Sequence, residues 1–221
     1  MNIVLAVFDL DGTLIDSRQD LADSANALLD TYGASAIADT AIVSMVGCGA
    51  ATLVKRVLHA ARLDVPLDEA LPRFLSLYDG RLTFHTRPYD GIPEVLEQLH
   101  ARDTGMALLT NKPLQQSLEI LRTFELAKFF RWIVGGDGPW PRKPSPDAMR
   151  FLMKQASAGP SETILIGDSA VDLQTSRNAG VRVCLARYGF GYADLSVADL
   201  HGEEALVDSP AEIVAVIHAR R

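Results

Sequence analysis

Ile3-Val4-Leu5-Ala6-Val7-Phe8-Asp9-Leu10-Asp11-Gly12-Thr13-Leu14-Ile15 opens the chain with an apolar run and two closely spaced carboxylates. Its first six residues form a short apolar run that ends at a turn signal, the pattern of a strand buried on both faces. Two carboxylates stand where that strand stops. Burying a carboxylate without a partner costs several kcal/mol or forces it to neutralise, so Asp9 and Asp11 at this place imply a cation nearby and point to an active site.

Working outward, further β-rich runs lie at 106–110, 132–134, 163–166, 181–186 and 205–207. Helical patterns alternate with them at 91–101, 114–122, 146–155, 172–179 and 210–219. Strands alternating with helices are the signature of a parallel sheet with crossover helices, an α/β, Rossmann-like core. The interval 16–89 breaks the alternation. It holds no convincing strand and shows helical periodicity at 21–32, 40–46, 51–61 and 67–82, which predicts an inserted helical cap. The expected organisation is therefore a core of residues 1–15 and 90–221 with a cap domain of residues 16–89. Gly33 suits a helix C-cap, Asp39 or Thr40 an N-cap, and Gly47 with Gly49 a bend between cap helices. Asp16-Ser17 and Thr86-Arg87-Pro88 are the expected hinges.

The 221 residues carry 21 Lys plus Arg against 28 Asp plus Glu, a net charge of −7, and no basic run of the kind that binds nucleic acid or anionic lipid. The two cysteines, Cys48 and Cys184, form no CxxC pair and indicate neither a disulfide framework nor a thiolate zinc site. No apolar stretch is long enough to span a membrane, and the apolar start meets Asp9 and Asp11 too soon for a signal-peptide core. A cytoplasmic location without nucleic-acid or membrane partners is expected. Oligomeric state is not readable here.

Four segments fall just beyond expected strands: the Asp9/Asp11 pair, Thr110-Asn111-Lys112-Pro113, Arg142-Lys143-Pro144 and Gly167-Asp168-Ser169-Ala170-Val171-Asp172. In open parallel sheets ligands bind at the carboxyl ends of strands, so these segments can converge on one crevice. Carboxylates, small donors and a cation suit phosphoryl transfer, which needs a nucleophile, a bridging cation and donors around the transferred group. Asp9 suits attack on phosphorus and Asp11 suits proton transfer at the leaving oxygen. Carboxylates of Asp9 and Asp168 with a backbone carbonyl near Asp11 suit a hard cation such as Mg²⁺. The Thr110 hydroxyl, the Asn111 amide or backbone, and Lys143 suit phosphate oxygens.

Phe8-Asp9-Leu10-Asp11-Gly12-Thr13-Leu14, Thr110-Asn111, Lys143-Pro144 and Gly167-Asp168 followed by Asp172 together resemble the four signatures of the haloacid dehalogenase superfamily. The resemblance covers the whole core, and the insertion resembles that superfamily's helical cap of the first type. It implies Asp9 as nucleophile, Asp11 as acid/base, Asp9, the Asp11 carbonyl and Asp168 as Mg²⁺ ligands, and Asp172 as a supporting carboxylate. Within the superfamily, His85-Thr86-Arg87-Pro88-Tyr89-Asp90-Gly91-Ile92-Pro93, Gly135-Gly136-Asp137 and Val46-Gly47-Cys48-Gly49-Ala50 look similar to phosphoglycolate phosphatases. Asp90 stands where a proline is common, and Ala170-Val171 replace a more usual polar pair. The resemblance thus implies a Mg²⁺-dependent phosphatase of a small phosphorylated metabolite, first 2-phosphoglycolate. A phosphomutase resembling β-phosphoglucomutase and another small-metabolite phosphatase are the alternatives.

Plainer roles stand beside these. Asp168 could simply N-cap a helix, Thr110-Asn111 could cap the next one with Lys112 facing solvent, and Lys143 with Arg142 could be a solvated basic pair. Thr13 is expected to steady the turn and Ser169 to bond within its own loop. Trp140 packs the Lys143 loop or lines the cleft.

Overall fold

The computed structural model describes residues 3–219; residues 1, 2, 220 and 221, expected to belong to the core, lie outside the described residues. Six parallel strands make the central sheet: β1 (Leu5–Phe8), β4 (Gly105–Leu109), β5 (Trp132–Val134), β6 (Thr163–Gly167), β7 (Arg182–Ala186) and β8 (Ala205–Val207). Their order is β5-β4-β1-β6-β7-β8, so the chain runs outward from β1 in one direction and then returns to build the other half. The switch falls at β1. Such a reversal opens a crevice outside the carboxyl ends of the adjoining strands.

The two faces of the sheet bury alternate residues, as a period of two requires. Ala6 and Phe8 of β1 join Met106, Leu108, Ile164 and Ile166 in one apolar cluster, with Ile92, Val95, Leu96 and Leu99 of α5 (Ile92–His100) packed on them. Leu5 and Val7 face the other way, with Leu109, Leu165 and the Met149 and Leu152 side chains of α7 (Asp147–Ala156). Both faces are covered by helices. That is why the strands read as continuous apolar runs rather than alternating ones.

Between β2 (Ile15–Asp16) and β3 (Arg87–Pro88) the chain forms α1 (Arg18–Thr31), α2 (Asp39–Val43), α3 (Ala50–Ala60) and α4 (Leu67–Asp79). α1, α3 and α4 each turn an apolar stripe inward; Ala70, Phe74 and Tyr78 of α4 recur every fourth residue, and the Phe74 and Tyr78 rings stack with centroids 5.9 Å apart. Gly33 follows α1 with φ +69°, the expected left-handed terminator. Neither Asp39 nor Thr40 caps α2; its N-cap is Ala38.

The interval was expected to contain no strand, yet its first residue and its end pair as a short antiparallel ribbon, Ile15 with Pro88 and Asp16 with Arg87. Two residue pairs are too few to show alternation in a sequence. Beside the ribbon, the fully buried Asp20 carboxylate accepts from the His85 and Thr86 N–H groups and from the Thr86 hydroxyl at 2.7–3.0 Å. The start of α1 is thereby tied to the returning chain at the expected hinge. Among the described residues, no helix is long and apolar enough to cross a membrane.

Candidate active site

Phe8 pairs in register with Leu108 on one side and Ile166 on the other, so Asp9, Thr110 and Asp168 emerge side by side from the carboxyl ends of β1, β4 and β6. The loop after β5 delivers Lys143, and α8 (Ala170–Ala179) delivers Asp172 from its first turn. All four segments expected to converge do so.

Lys143 is buried, with its Nζ 2.9 Å from Asp9 Oδ1 and 2.6 Å from Asp172 Oδ1. The solvated-pair reading is overturned for Lys143 and holds only for Arg142, which is exposed and donates from Nε to the Gly136 carbonyl at 2.6 Å. Asp172 also accepts from the Ser169 hydroxyl at 2.6 Å and the Ser169 N–H at 3.1 Å. Ser169, rather than Asp168, caps α8, and this reciprocal pairing is why the helix begins at Ala170 instead of Asp172. Asp168 is thereby free to face the site. Its Oδ2 accepts from the Gly191 N–H at 2.7 Å, and the Thr13 hydroxyl lies 3.5 Å from its Oδ1.

Gly12 shows how tightly this corner is built. Its φ is +86°, and a Cβ there would sit 1.9 Å from Asp168 Oδ2. Only glycine satisfies both the turn and that close approach.

One carboxylate oxygen from each of Asp9, Asp168 and Asp172 lies within 4.8 Å of the other two, and all three residues are buried. Burial pushes Asp9 up to about 6, with the Asp172 charge adding and Lys143 opposing. Burial, then Asp172 and Asp9, hold Asp168 well above the usual carboxylate range. For Lys143, burial pulls downward, but Asp172 and Asp9 override it and keep the ammonium above its ordinary value. Three crowded carboxylates share one ammonium, and oxygen donors short of positive charge suit a hard divalent cation. Asp9 and Asp168 could hold such a cation, since Asp172 is fully buried and committed to Lys143 and Ser169.

The Asp11 side chain points elsewhere. Its Oδ1 accepts from the Ser17 hydroxyl at 2.6 Å, and Lys112 Nζ donates to its two oxygens at 2.9 and 3.1 Å. The plainer reading of this segment had Lys112 facing solvent; instead it is buried and also donates to the Tyr78 hydroxyl at 2.5 Å. Burial pushes that hydroxyl up to about 12, so Tyr78 keeps its proton. Nothing in the spacing of Lys112 and Tyr78, 34 residues apart, could have announced this pair.

Thr110 Oγ1 accepts from the Lys112 N–H at 3.2 Å, which leaves its own proton to donate. Of the two Asn111 groups expected for phosphate, amide or backbone, the amide is occupied: its Nδ2 donates to the carbonyls of Gly47 and Lys143 at 3.0 and 3.1 Å. Both amide protons are spent on the chain, leaving the Asn111 backbone for an oxyanion. Trp140 packs on Phe151 with ring centroids 4.2 Å apart, which settles it as a packing residue.

A pocket separates these residues from the inserted helices. Asp9, Asp11, Thr110, Asn111 and Asp168 line its floor, and Val46, Leu53, Phe74, Leu75 and Tyr78 its roof.

The sequence matches the model of the haloacid dehalogenase-like hydrolase family over residues 6–186. A phosphoglycolate phosphatase of Pseudomonas syringae pv. syringae is 36% identical over 215 residues, covering 95% of this chain and 75% of that protein. A plasmid-borne phosphoglycolate phosphatase of Cupriavidus necator is 33% identical over 220 residues, covering 97% and 93% of the two chains. Among solved structures, a predicted phosphoglycolate phosphatase from Haemophilus somnus 129PT superposes with a TM-score of 0.91 at 27% identity, covering 98% of each chain. The chain belongs to the haloacid dehalogenase-like hydrolase family, as a phosphatase that resembles the phosphoglycolate phosphatases.

Proposed function

We propose that this chain is a cytoplasmic, Mg²⁺-dependent phosphomonoesterase that hydrolyses a small phosphorylated metabolite, first 2-phosphoglycolate, through an aspartyl phosphate on Asp9. Residues 16–89 act as a cap over a core of residues 1–15 and 90–221. The observation that carries the reading is the placement of buried Asp9 between Lys143 and Asp168 at the floor of the pocket. The names of the relatives supply the first substrate to try.

Asp9 attacks phosphorus, its Oδ–P bond forming as the ester oxygen departs. Asp11 gives a proton to that leaving oxygen, so the alcohol exits neutral. Asp11 then takes a proton from water, which attacks the phosphorus, breaks the Asp9–phosphoryl bond and releases inorganic phosphate. Thr110 through its hydroxyl, Asn111 through its backbone, and Lys143 through its ammonium hold the non-bridging oxygens. Asp9, the Asp11 carbonyl and Asp168 would hold Mg²⁺, whose positive charge offsets the repulsion between carboxylate and anionic substrate. Asp172 keeps Lys143 in place. The apolar roof keeps bulk water out of the pocket and limits the leaving group to a small one.

Phosphate release from a panel of small phosphomonoesters, with and without Mg²⁺, tests this. Mg²⁺-dependent turnover of 2-phosphoglycolate above the rest is expected. Conversion of glucose 1-phosphate to glucose 6-phosphate faster than hydrolysis would replace it with a mutase, and folded protein that releases phosphate from nothing would sink it.

A further inference from the structure

The proposed reaction leaves Lys112 and Tyr78 without a task, although both are buried and both line the pocket. We propose that Lys112, held in place by Tyr78, is the specificity-determining residue that selects a leaving group bearing a carboxylate next to the ester carbon. The proposal rests on the reading of Asp11 as the group that protonates the leaving oxygen.

Position is the first argument. Lys112 Nζ is 2.9 and 3.1 Å from the two oxygens of Asp11, so whatever is attached to the leaving oxygen lies within reach of this ammonium. Charge is the second: among the described residues lining the pocket, Lys112 is the only basic one. Lys143 is engaged by Asp9 and Asp172 and serves the phosphoryl side.

Donor capacity is the third. An ammonium carries three N–H donors, and Lys112 divides them between Asp11 and Tyr78. The Tyr78 hydroxyl accepts from Lys112, and its own proton has no acceptor among the described residues. The short bond to the Tyr78 hydroxyl holds the Lys112 ammonium against the roof. A planar carboxylate entering here meets the Tyr78 O–H donor beside the Lys112 charge. The surrounding roof of Val46, Leu53, Phe74 and Leu75 offers nothing to a chain of hydroxyls. A short acid is therefore welcomed where a sugar is not, because polar groups buried without partners weaken binding.

The test compares 2-phosphoglycolate with 2-hydroxyethyl phosphate, in which a hydroxymethyl group replaces the carboxylate. Wild type, Lys112→Met, Lys112→Arg and Tyr78→Phe are assayed with Mg²⁺, and the ratio of kcat/KM for the two esters is the readout. Losses common to both esters report service to Asp11 and cancel in the ratio. Wild type is expected to favour the acid by about 100-fold, and Lys112→Met to reduce that preference by about 30-fold, chiefly through KM for 2-phosphoglycolate. Lys112→Arg should restore part of it, and Tyr78→Phe should reduce it by about 5-fold with the fold intact. A ratio in Lys112→Met within about twofold of wild type overturns the proposal, as does a wild type indifferent to the carboxylate. Should Lys112→Met not fold, an unchanged ratio in Tyr78→Phe is decisive against it. Calorimetric binding of both esters to Asp9→Asn protein, with and without Lys112→Met, gives the same comparison without turnover. It judges Lys112 even if Asp9 and Asp11 are not the reacting groups.

Discussion

Replacing Lys143 by methionine keeps the length of the side chain and removes its charge. In the native site Nζ sits 2.9 Å from Asp9 and 2.6 Å from Asp172, with Asp168 completing a buried group of three carboxylates. Removing one partner of a buried ion pair costs about 3–5 kcal/mol, because the remaining charge stays buried and unpaired. For a chain of this length 1 kcal/mol moves the melting temperature by about 2–4 °C, so a fall of about 6–20 °C is expected in metal-free buffer at pH 7.5. Asp9 already stands near 6 with Lys143 pulling it down, so without that pull the nucleophile is more often protonated and turnover falls as well. The assay is thermal unfolding followed by circular dichroism, with and without millimolar Mg²⁺. The cation should recover part of the loss, since it supplies positive charge to the same oxygens. A metal-free melting temperature within about 2 °C of wild type would refute the reasoning, because the three carboxylates would then not depend on Lys143.

The raised positions of Asp9 and Asp168 give metal-free protein a definite pH dependence. Asp9 moves from 3.8 unfolded to about 6 folded, so stability from this group is fully present below about 4 and is lost as pH rises through 6. That loss amounts to about 3 kcal/mol for Asp9 alone. Mg²⁺ should therefore raise the melting temperature more at pH 7.5 than at pH 5; equal increments at both would contradict the charge crowding. Gly12→Ala drives a methyl group to 1.9 Å from Asp168 Oδ2, so Mg²⁺-dependent stabilisation and phosphate release should fall together by at least about tenfold. Normal turnover in this variant would show that Asp168 is not held where it is described. Asp20→Ala strands the N–H groups of His85 and Thr86, at about 1–3 kcal/mol for each buried donor left unpaired. Urea unfolding should show a loss of about 2–6 kcal/mol, and a loss below about 0.5 would remove Asp20 from the hinge.

Much of this arrangement was legible because strands buried on both faces announce themselves as apolar runs. The strands expected at 132–134 and 205–207 match β5 and β8, and the others end within one or two residues of expectation. Asp9, Thr110 and Asp168 could be singled out because each stands directly after such a run, where a parallel sheet gathers its loops, and Lys143 because it lies in the long loop after another. The β2–β3 ribbon could not, because a two-residue strand carries no periodicity. Ser169 was expected to bond within its own loop and does so with Asp172; that this pair also sets the start of α8 was signalled by a serine with an acid three residues later. Lys112 looked like an ordinary helix-start lysine because its partners, Asp11 and Tyr78, come from a distant turn and an inserted helix. The same holds for Asn111, whose amide is consumed by the Gly47 carbonyl across the pocket. Chemistry carried by one segment after one strand is local in sequence; chemistry between core and insert exists only once both have folded.

Asp9 is the centre of the account, and Asp9→Asn is the smallest change that removes its nucleophilic oxygen while keeping its shape. Steady-state phosphate release from 2-phosphoglycolate with saturating Mg²⁺, on wild type and on folded Asp9→Asn protein, tests it most directly. Wild type should turn over, and the variant should lose at least about a thousandfold in rate, with its melting temperature retained or raised by relief of the carboxylate crowding. Comparable turnover by the two proteins would contradict the role given to Asp9.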